Sequence, residues 1–307
     1  MSIALPHIAD LDLGLLRVFI AVVRSGGFSA ARTELNVGQP TISNKIADLE
    51  LRLGMRLCER GRSGFKLTME GKHVYKAALD LFESLEAFRV GVGTLRGRFV
   101  GDLHIGIADA TVTNAHLKLD EVIAGFKKRA PDVHLHLHTE SAIDLELGLV
   151  ENHLHVAIGP LQRRRRELIY TPVLVEQQTL YCGRPHPLFK RAPERIDAVE
   201  LANVEFVRRD YLANWQPPQG IQFRATATTG HMEATMQLIL SGTHVGYLPE
   251  HYATFWVQTD HLRPILPRVL SYGSTFSMAR RRSSTAATLT EFVKEFRLVQ
   301  KRQANGS

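Results

Sequence analysis

Three patterns in this sequence predict a multidomain α+β protein. Residues Phe28–Leu53 read as two short helices joined by a tight polar turn, with a short basic hairpin after them, the order of a winged helix-turn-helix. Residues 68–97 carry apolar positions alternately four and three apart, the seam of a long dimerisation helix. From residue 98 strands and helices alternate as β-α-β-α-β, and a second such set follows, which predicts a two-lobed α/β domain with parallel, doubly wound sheets. The expected divisions are 10–67, 68–97 and 98–307, the last split into lobe I (about 98–160 and 265–307) and lobe II (about 161–264).

Composition bounds the function. The 307 residues suffice for two or three cores, and 38 Lys and Arg against 31 Asp and Glu leave a net charge of +7, which suits a polyanion partner. No run reaches the ~18 apolar residues of a membrane span. Leu15–Val23 comes nearest, but Arg17 interrupts it and the acidic Asp10 and Asp12 precede it, unlike the basic start of a signal peptide. A cytoplasmic location without a membrane partner is expected. Cys58 and Cys182 fall in different predicted domains, so neither a structural disulfide nor a thiolate-bound metal is expected. A redox role would depend on thiol acidity.

The elements follow in order. Residues 1–9 read as a loose arm. Asp12 is expected to cap a first helix with Leu16, Phe19 and Val23 at i, i+3 and i+7, ending at Gly26-Gly27. Ser29 is expected to cap a second helix through Leu35, and Asn36-Val37-Gly38 turns the chain. Gly38 and Pro40 mark the start of a third helix near Gln39. Its Ile42, Ile46, Leu49 and Leu53 form one buried stripe. The opposite face presents Gln39, Pro40, Ser43, Asn44 and Ala47, small, polar and uncharged. Gln and Asn can bond base edges bidentately, and a helix N-terminus with its neighbouring Thr41 favours phosphate. Lys45 and Arg52 flank that face as phosphate candidates. An ordinary helical hairpin in a core would show a similar stripe.

Gly54–Leu67 carries Arg56, Arg60, Arg62 and Lys66 around Gly61 and Gly64, the pattern of a β-hairpin wing. Arg60 and Arg62 are expected on phosphates or in a minor groove, although a solvated charge run reads alike. Val74, Ala78, Leu81, Leu85, Phe88, Val92 and Leu95 then form the seam, weakened by Gly91 and Gly93. A helix from Met69 to about Gly97 would extend ~40 Å and pair two readers on an inverted repeat.

Past the boundary at Gly97–Gly101, strands are expected at Leu103–Ile107, Val133–His138 and Leu154–Ile158, with helices between. The second set has apolar stretches 168–175 and 179–182, strands 204–208, 223–228 and 243–248, and helices 196–202 and 231–241. Segments 262–266, 272–280 and 285–298 are expected to return to the first sheet. Ligands of open α/β sheets bind beyond the carboxyl ends of strands. Those ends supply Asp109, Thr111 and Thr113, then Thr139 and Ser141, then Pro160, then Thr228 and Thr229. Each hydroxyl has an alternative role as a helix cap. Asp109, with Glu140 nearby, disfavours an anionic ligand unless it is paired, which points to a neutral or cationic effector. His134, His136 and His138 alternate on one strand face and read as a polar outer face rather than a metal site. Arg163–Arg166 and Arg280–Arg282 read as exposed turns. No Gly-x-Gly-x-x-Gly, phosphate loop or Gly-x-Ser-x-Gly elbow is present, which argues against an enzyme.

Residues 12–75, with Gly-Gly-Phe-Ser, Ala-Ala, Leu-Asn-Val, Gln-Pro, Ile-Ser, Leu-Glu, Leu-Gly, Glu-Arg and Leu-Thr in that order, resemble the N-terminal domain of LysR-type transcriptional regulators. The remainder resembles that family's effector domain, itself similar to periplasmic solute-binding proteins. The resemblance implies DNA contacts by Ser29, Gln39, Pro40, Thr41, Ser43, Asn44, Lys45, Arg60 and Arg62 on double-stranded DNA. It also implies a small-molecule effector in the cleft, dimers that pair into tetramers, contact with RNA polymerase, and no cofactor. Asn44 and Lys45 stand where Arg-Gln is common, Gly38 where Ser or Thr is usual, and Cys58 where Phe is usual; the first departure bears on the half-site sequence. A non-specific nucleoid protein would share the charge and helices but would not need a ligand-cleft domain.

Overall fold

The computed structural model describes residues 10–61, 64–95, 99–212 and 215–306, in two compact units, Met1–Phe88 and Arg89–Ser307. The first holds α1 (Asp10–Arg24), α2 (Ala31–Leu35), α3 (Gln39–Leu53), β1 (Cys58–Gly61), β2 (Gly64–Leu67) and most of α4 (Met69–Leu95). Its core closes on the expected stripe: Ile42, Ile46 and Leu49 are buried with Phe19 and Leu57. Tyr75, Ala78 and Leu79 of α4 join that same core, so the first part of the seam packs within its own chain, while Leu85 and Phe88 are exposed.

Two expected caps differ. Helix α1 begins at Asp10, which puts Asp12 inside its first turn, where it pairs with Arg52 at 3.3 Å. Helix α2 has Ala30 at its N-cap and no side-chain cap bond, so Ser29 leaves that role unfilled. Gly38 does cap α3, with Pro40 in the first turn. The wing forms as an antiparallel pair with Cys58 opposite Leu67 and Arg60 opposite Phe65. Thr68 caps α4, since its hydroxyl accepts the Gly71 N–H at 2.8 Å.

The second unit runs β3 (Gly101–Ile107), α5 (Leu119–Arg129), β4 (Val133–Thr139), α6 (Ala142–Val150), β5 (Val156–Gly159), β6 (Leu168–Gly183), α7 (Ala198–Asn203), β7 (Glu205–Arg209) and β8 (Arg224–Thr229). It continues through α8 (Met232–Leu240), β9 (Val245–Pro249), α9 (Glu250–Gln258), β10 (Leu262–Pro264), α10 (Pro267–Leu270), β11 (Tyr272–Arg281) and α11 (Ala287–Gly306). The strands form one continuous sheet, β4-β3-β5-β11-β6-β9-β7-β8, with β10 on β6. Each lobe has the expected parallel triplet, β4-β3-β5 and β8-β7-β9. The two apolar stretches read from the sequence are a single 16-residue strand, β6. With antiparallel β11 it runs through both lobes. Strand β10 stays with lobe II, pairing Leu262 with Gly183, rather than returning to lobe I. Leu103, Ile105, Phe126, Phe292 and Phe296 fill the lobe I core. Lobe II has two cores, one around Leu180 and Tyr247 and one around Met236 and Ile239.

Candidate functional site

On α3 the residues of the outer face stand free of the core: Gln39, Pro40, Thr41, Asn44, Lys45 and Ala47 are exposed and Ser43 is half-buried. A helix start bearing exposed Gln, Thr and Asn offers free N–H groups and amides to an edge-on acceptor and donor pattern. Ser29 is exposed at the opening of the helix pair, lining a shallow hollow with Arg32, Thr33 and Gly38. Arg52, partly exposed, is held by Asp12 and by Asp48, at 3.3 and 3.1 Å. Arg60 lies on β1; Arg62 lies outside the described residues. The wing root is fixed to α3 through Glu50, whose Oε1 accepts the N–H groups of Leu57 and Cys58 at 2.7 and 3.0 Å.

In the second unit the strand ends converge. The Asp109 carboxylate, just past β3, accepts the N–H of Met232, the first residue of α8. It lies 3.9 Å from Arg209 Nη2 and 3.8 Å from His231 Nδ1. Arg209, 5% exposed, also donates to Thr235 Oγ1 and to the Gly230 carbonyl, both at 3.1 Å. A second bridge joins the lobes through Glu176: Asn114 Nδ2 donates to it at 3.1 Å, Gln178 Nε2 at 2.7 Å, and His251 Nε2 lies 2.8 Å away. The other ring nitrogen of His251 meets the Thr113 hydroxyl at 2.8 Å. Burial raises the phenol of Tyr272 well above its ordinary range and that of Tyr211 in the same direction. Both therefore stay neutral beside Arg209.

The structure brings Asp109, Thr113, Ser141 and Thr229 towards this cluster. Ser141 is the N-cap of α6, accepting from Asp144 N–H at 3.2 Å, and a Cβ on Gly230 would come within 3.2 Å of it. Thr229 bonds Thr235 at 2.7 Å. Pro160 is buried and Thr139 exposed at the ends of their strands. Thr111 lines a cavity of about 420 Å³ with Val112, Asn114 and Ile123. Thr228 stands apart, exposed on the opposite face of β8 in register with Arg208. Sequence reasoning missed Arg209, Glu176 and His251. The first was legible as the carboxyl end of β7, a fifth strand end; the others sit in the middle of the long β6 and on α9, a helix not anticipated.

The histidine strand gathers more than its own three rings. His104 stacks on His136 with centroids 4.2 Å apart, meets His138 Nε2 at 3.1 Å through Nδ1, and donates its backbone N–H to His155. Among the described residues no three His, Cys, Asp or Glu side chains converge as a metal site. Arg281 is buried on Asn152 at 2.7 Å, which corrects the reading of 280–282 as a wholly exposed turn. Both cysteines are buried thiols outside any disulfide, and burial pushes the Cys182 thiol up to about 12.

A winged helix-turn-helix followed by a two-lobed ligand-binding domain defines a regulator that couples nucleic acid to a small molecule. Residues 13–72 match the family described as bacterial regulatory helix-turn-helix protein, lysR family, and residues 96–299 match the LysR substrate binding domain. The chain belongs to the LysR family of transcriptional regulators: it binds DNA, and its effector domain modulates that binding. It is 37% identical over 280 residues to the HTH-type transcriptional activator BauR of Pseudomonas aeruginosa, covering 91% of this chain and 92% of that protein. It is 26% identical over 255 residues to the HTH-type transcriptional regulator YtlI of Bacillus subtilis, covering 83% and 80%. In fold it is similar to full-length OxyR from Pseudomonas aeruginosa, with a TM-score of 0.59, 21% identity and coverage of 95% and 96%. It is also similar to full-length CbnR crystallised with its target DNA, with 0.57, 22%, and 93% and 99%. No helix among the described residues is long and apolar enough to cross a membrane.

Proposed function

We propose that the chain reads an inverted-repeat operator through paired copies of α3 and changes its grip when a small molecule occupies the cleft between its lobes. The observation that supports this best is the exposure pattern of α3, apolar stripe in and Gln39, Thr41, Asn44 and Lys45 out. Gln39, Ser43 and Asn44 contact base edges, while Pro40 and Thr41 at the helix start, Ser29, Lys45, Arg60 and Arg62 hold the phosphate backbone. Pairing uses the exposed Leu85 and Phe88 of α4, and the effector domains pair in turn to a tetramer that presents a surface to RNA polymerase. Asp109, Thr111, Thr113, Thr139, Ser141, Pro160 and Thr229 surround the effector, which acts by favouring one geometry over another. The protein works in the cytoplasm and catalyses no reaction.

Footprinting on DNA flanking its own gene, at physiological salt, tests this. A bounded inverted-repeat footprint is expected, with Gln39→Ala weakening operator binding by about 10-fold or more and random-sequence binding hardly at all. Lys45→Ala should weaken both alike. Equal losses on every DNA for Gln39→Ala would remove it from base reading.

A further inference from the structure

The lobe II wall of the cleft carries an anion seat. The first N–H of α8, a nine-residue helix, points into it, and helix starts favour negative charge. Arg209 stands behind it, 5% exposed, with its Nε lacking any partner among the described residues. A buried guanidinium with an unmet donor is costly unless an anion lies against it. His231 borders the seat at 3.8 Å. What occupies it is a side chain of the opposite lobe, the carboxylate of Asp109, which is 123 residues away from Met232 in sequence.

We infer that this seat takes a small organic carboxylate and that Asp109 fills it as a tethered surrogate ligand, holding the lobes together until an effector carboxylate replaces it. This rests on the cleft being the effector site, and it adds how that site is regulated. The backbone supports the role: Ala110 follows Asp109 with φ of 58°, a left-handed turn that swings the chain off β3 and over the cleft. Asp109 is 18% exposed as a side chain, so an entering ligand can reach it. Replacement conserves charge at Arg209, one carboxylate leaving as another arrives, whereas a neutral ligand would leave the guanidinium unpaired. Asp210, whose Oδ1 is also buried without a partner among the described residues, discourages any second anion beside the first.

The test is chemical rescue in the full-length protein, with sodium acetate as the probe and sodium chloride as the ionic-strength control. Asp109→Ala empties the seat, and acetate is expected to raise its melting temperature saturably, with an affinity at least about 10-fold above that of the unaltered chain. Adding Arg209→Met should abolish the response. No acetate response in folded Asp109→Ala, or an equal response in the unaltered chain, would overturn the inference. Should Asp109→Ala fail to fold, Asp109→Asn keeps the shape. Amide hydrogen exchange at Met232 should then quicken by about 10-fold, because a neutral amide holds the seat less strongly; unchanged exchange would equally overturn it. Effector screening by operator binding on the unaltered chain examines the cleft reading separately, since acetate rescue does not depend on any effector being found.

Discussion

At the scale of single residues, His104 shows how placement outweighs residue type. Its imidazole is lowered to about 4 from 6.5, first by burial and then by His155, His136 and His138 around it. A folded value below the unfolded one means the unfolded chain takes up the proton first. Stability is therefore fully present above about 6.5 and is lost as pH falls from there to about 4. The ring is only partly buried, and solvent screening holds the loss to about 1–2 kcal/mol. Denaturant titrations of His104→Asn across that window should show a flatter pH dependence than the unaltered chain; equal slopes would remove His104 as the source of the effect. The sequence displayed three alternating histidines, but not that β3 and the start of β5 would add His104 and His155 to them, because parallel register is a tertiary fact. Asp12 makes the same point: a good cap by position, it was taken instead by Arg52, 40 residues on.

At the scale of elements, the reader was legible because its code is local. Helix α3 has a period, a cap, a Pro in the first turn and a Gly54 at φ 66° to end it, each visible in the short stretch from Gly38 to Gly54. Helix α9 was missed and β6 was divided in two because their identity depends on neighbours: Glu176 and Gln178 interrupt an apolar strand, yet both are buried where the lobes meet. The joint between the wing and α4 is tighter still. A Cβ on Gly71 would lie 2.1 Å from the Leu57 carbonyl oxygen, so only glycine lets α4 rest on the wing root. Gly71→Ala is expected to cost about 1–3 kcal/mol in denaturant unfolding through overpacking. A change within about 0.5 kcal/mol would mean the helix start can shift without loss.

At the scale of the molecule, the class could be read from the order of domains, whereas the cleft could not be read from any one of them. Hydroxyls at strand ends were visible, but the Arg209 and Glu176 bridges need residues brought together from five segments of chain. Assembly depends on what α4 leaves uncovered. Leu85 is 40% and Phe88 72% exposed, an unsatisfied apolar edge beyond the reader core. Phe88→Glu is expected to halve the mass in light scattering and lower operator affinity by at least about 10-fold, since two half-sites are no longer bound together. An unchanged mass would take this stretch out of the interface.

Glu50 ties the recognition helix to the wing root, Thr68 hydrogen-bonds back to Arg56 O at 2.7 Å, and Gly71 seats α4 on Leu57. Recognition helix, wing and pairing helix thus share one joint without slack, and the reader behaves as a rigid key on a stiff shank. Such a key cannot adapt its teeth to a poor half-site; it can only be turned. Tolerance for operator variation in this protein should lie in the distance and phase between half-sites rather than in the bases of each one.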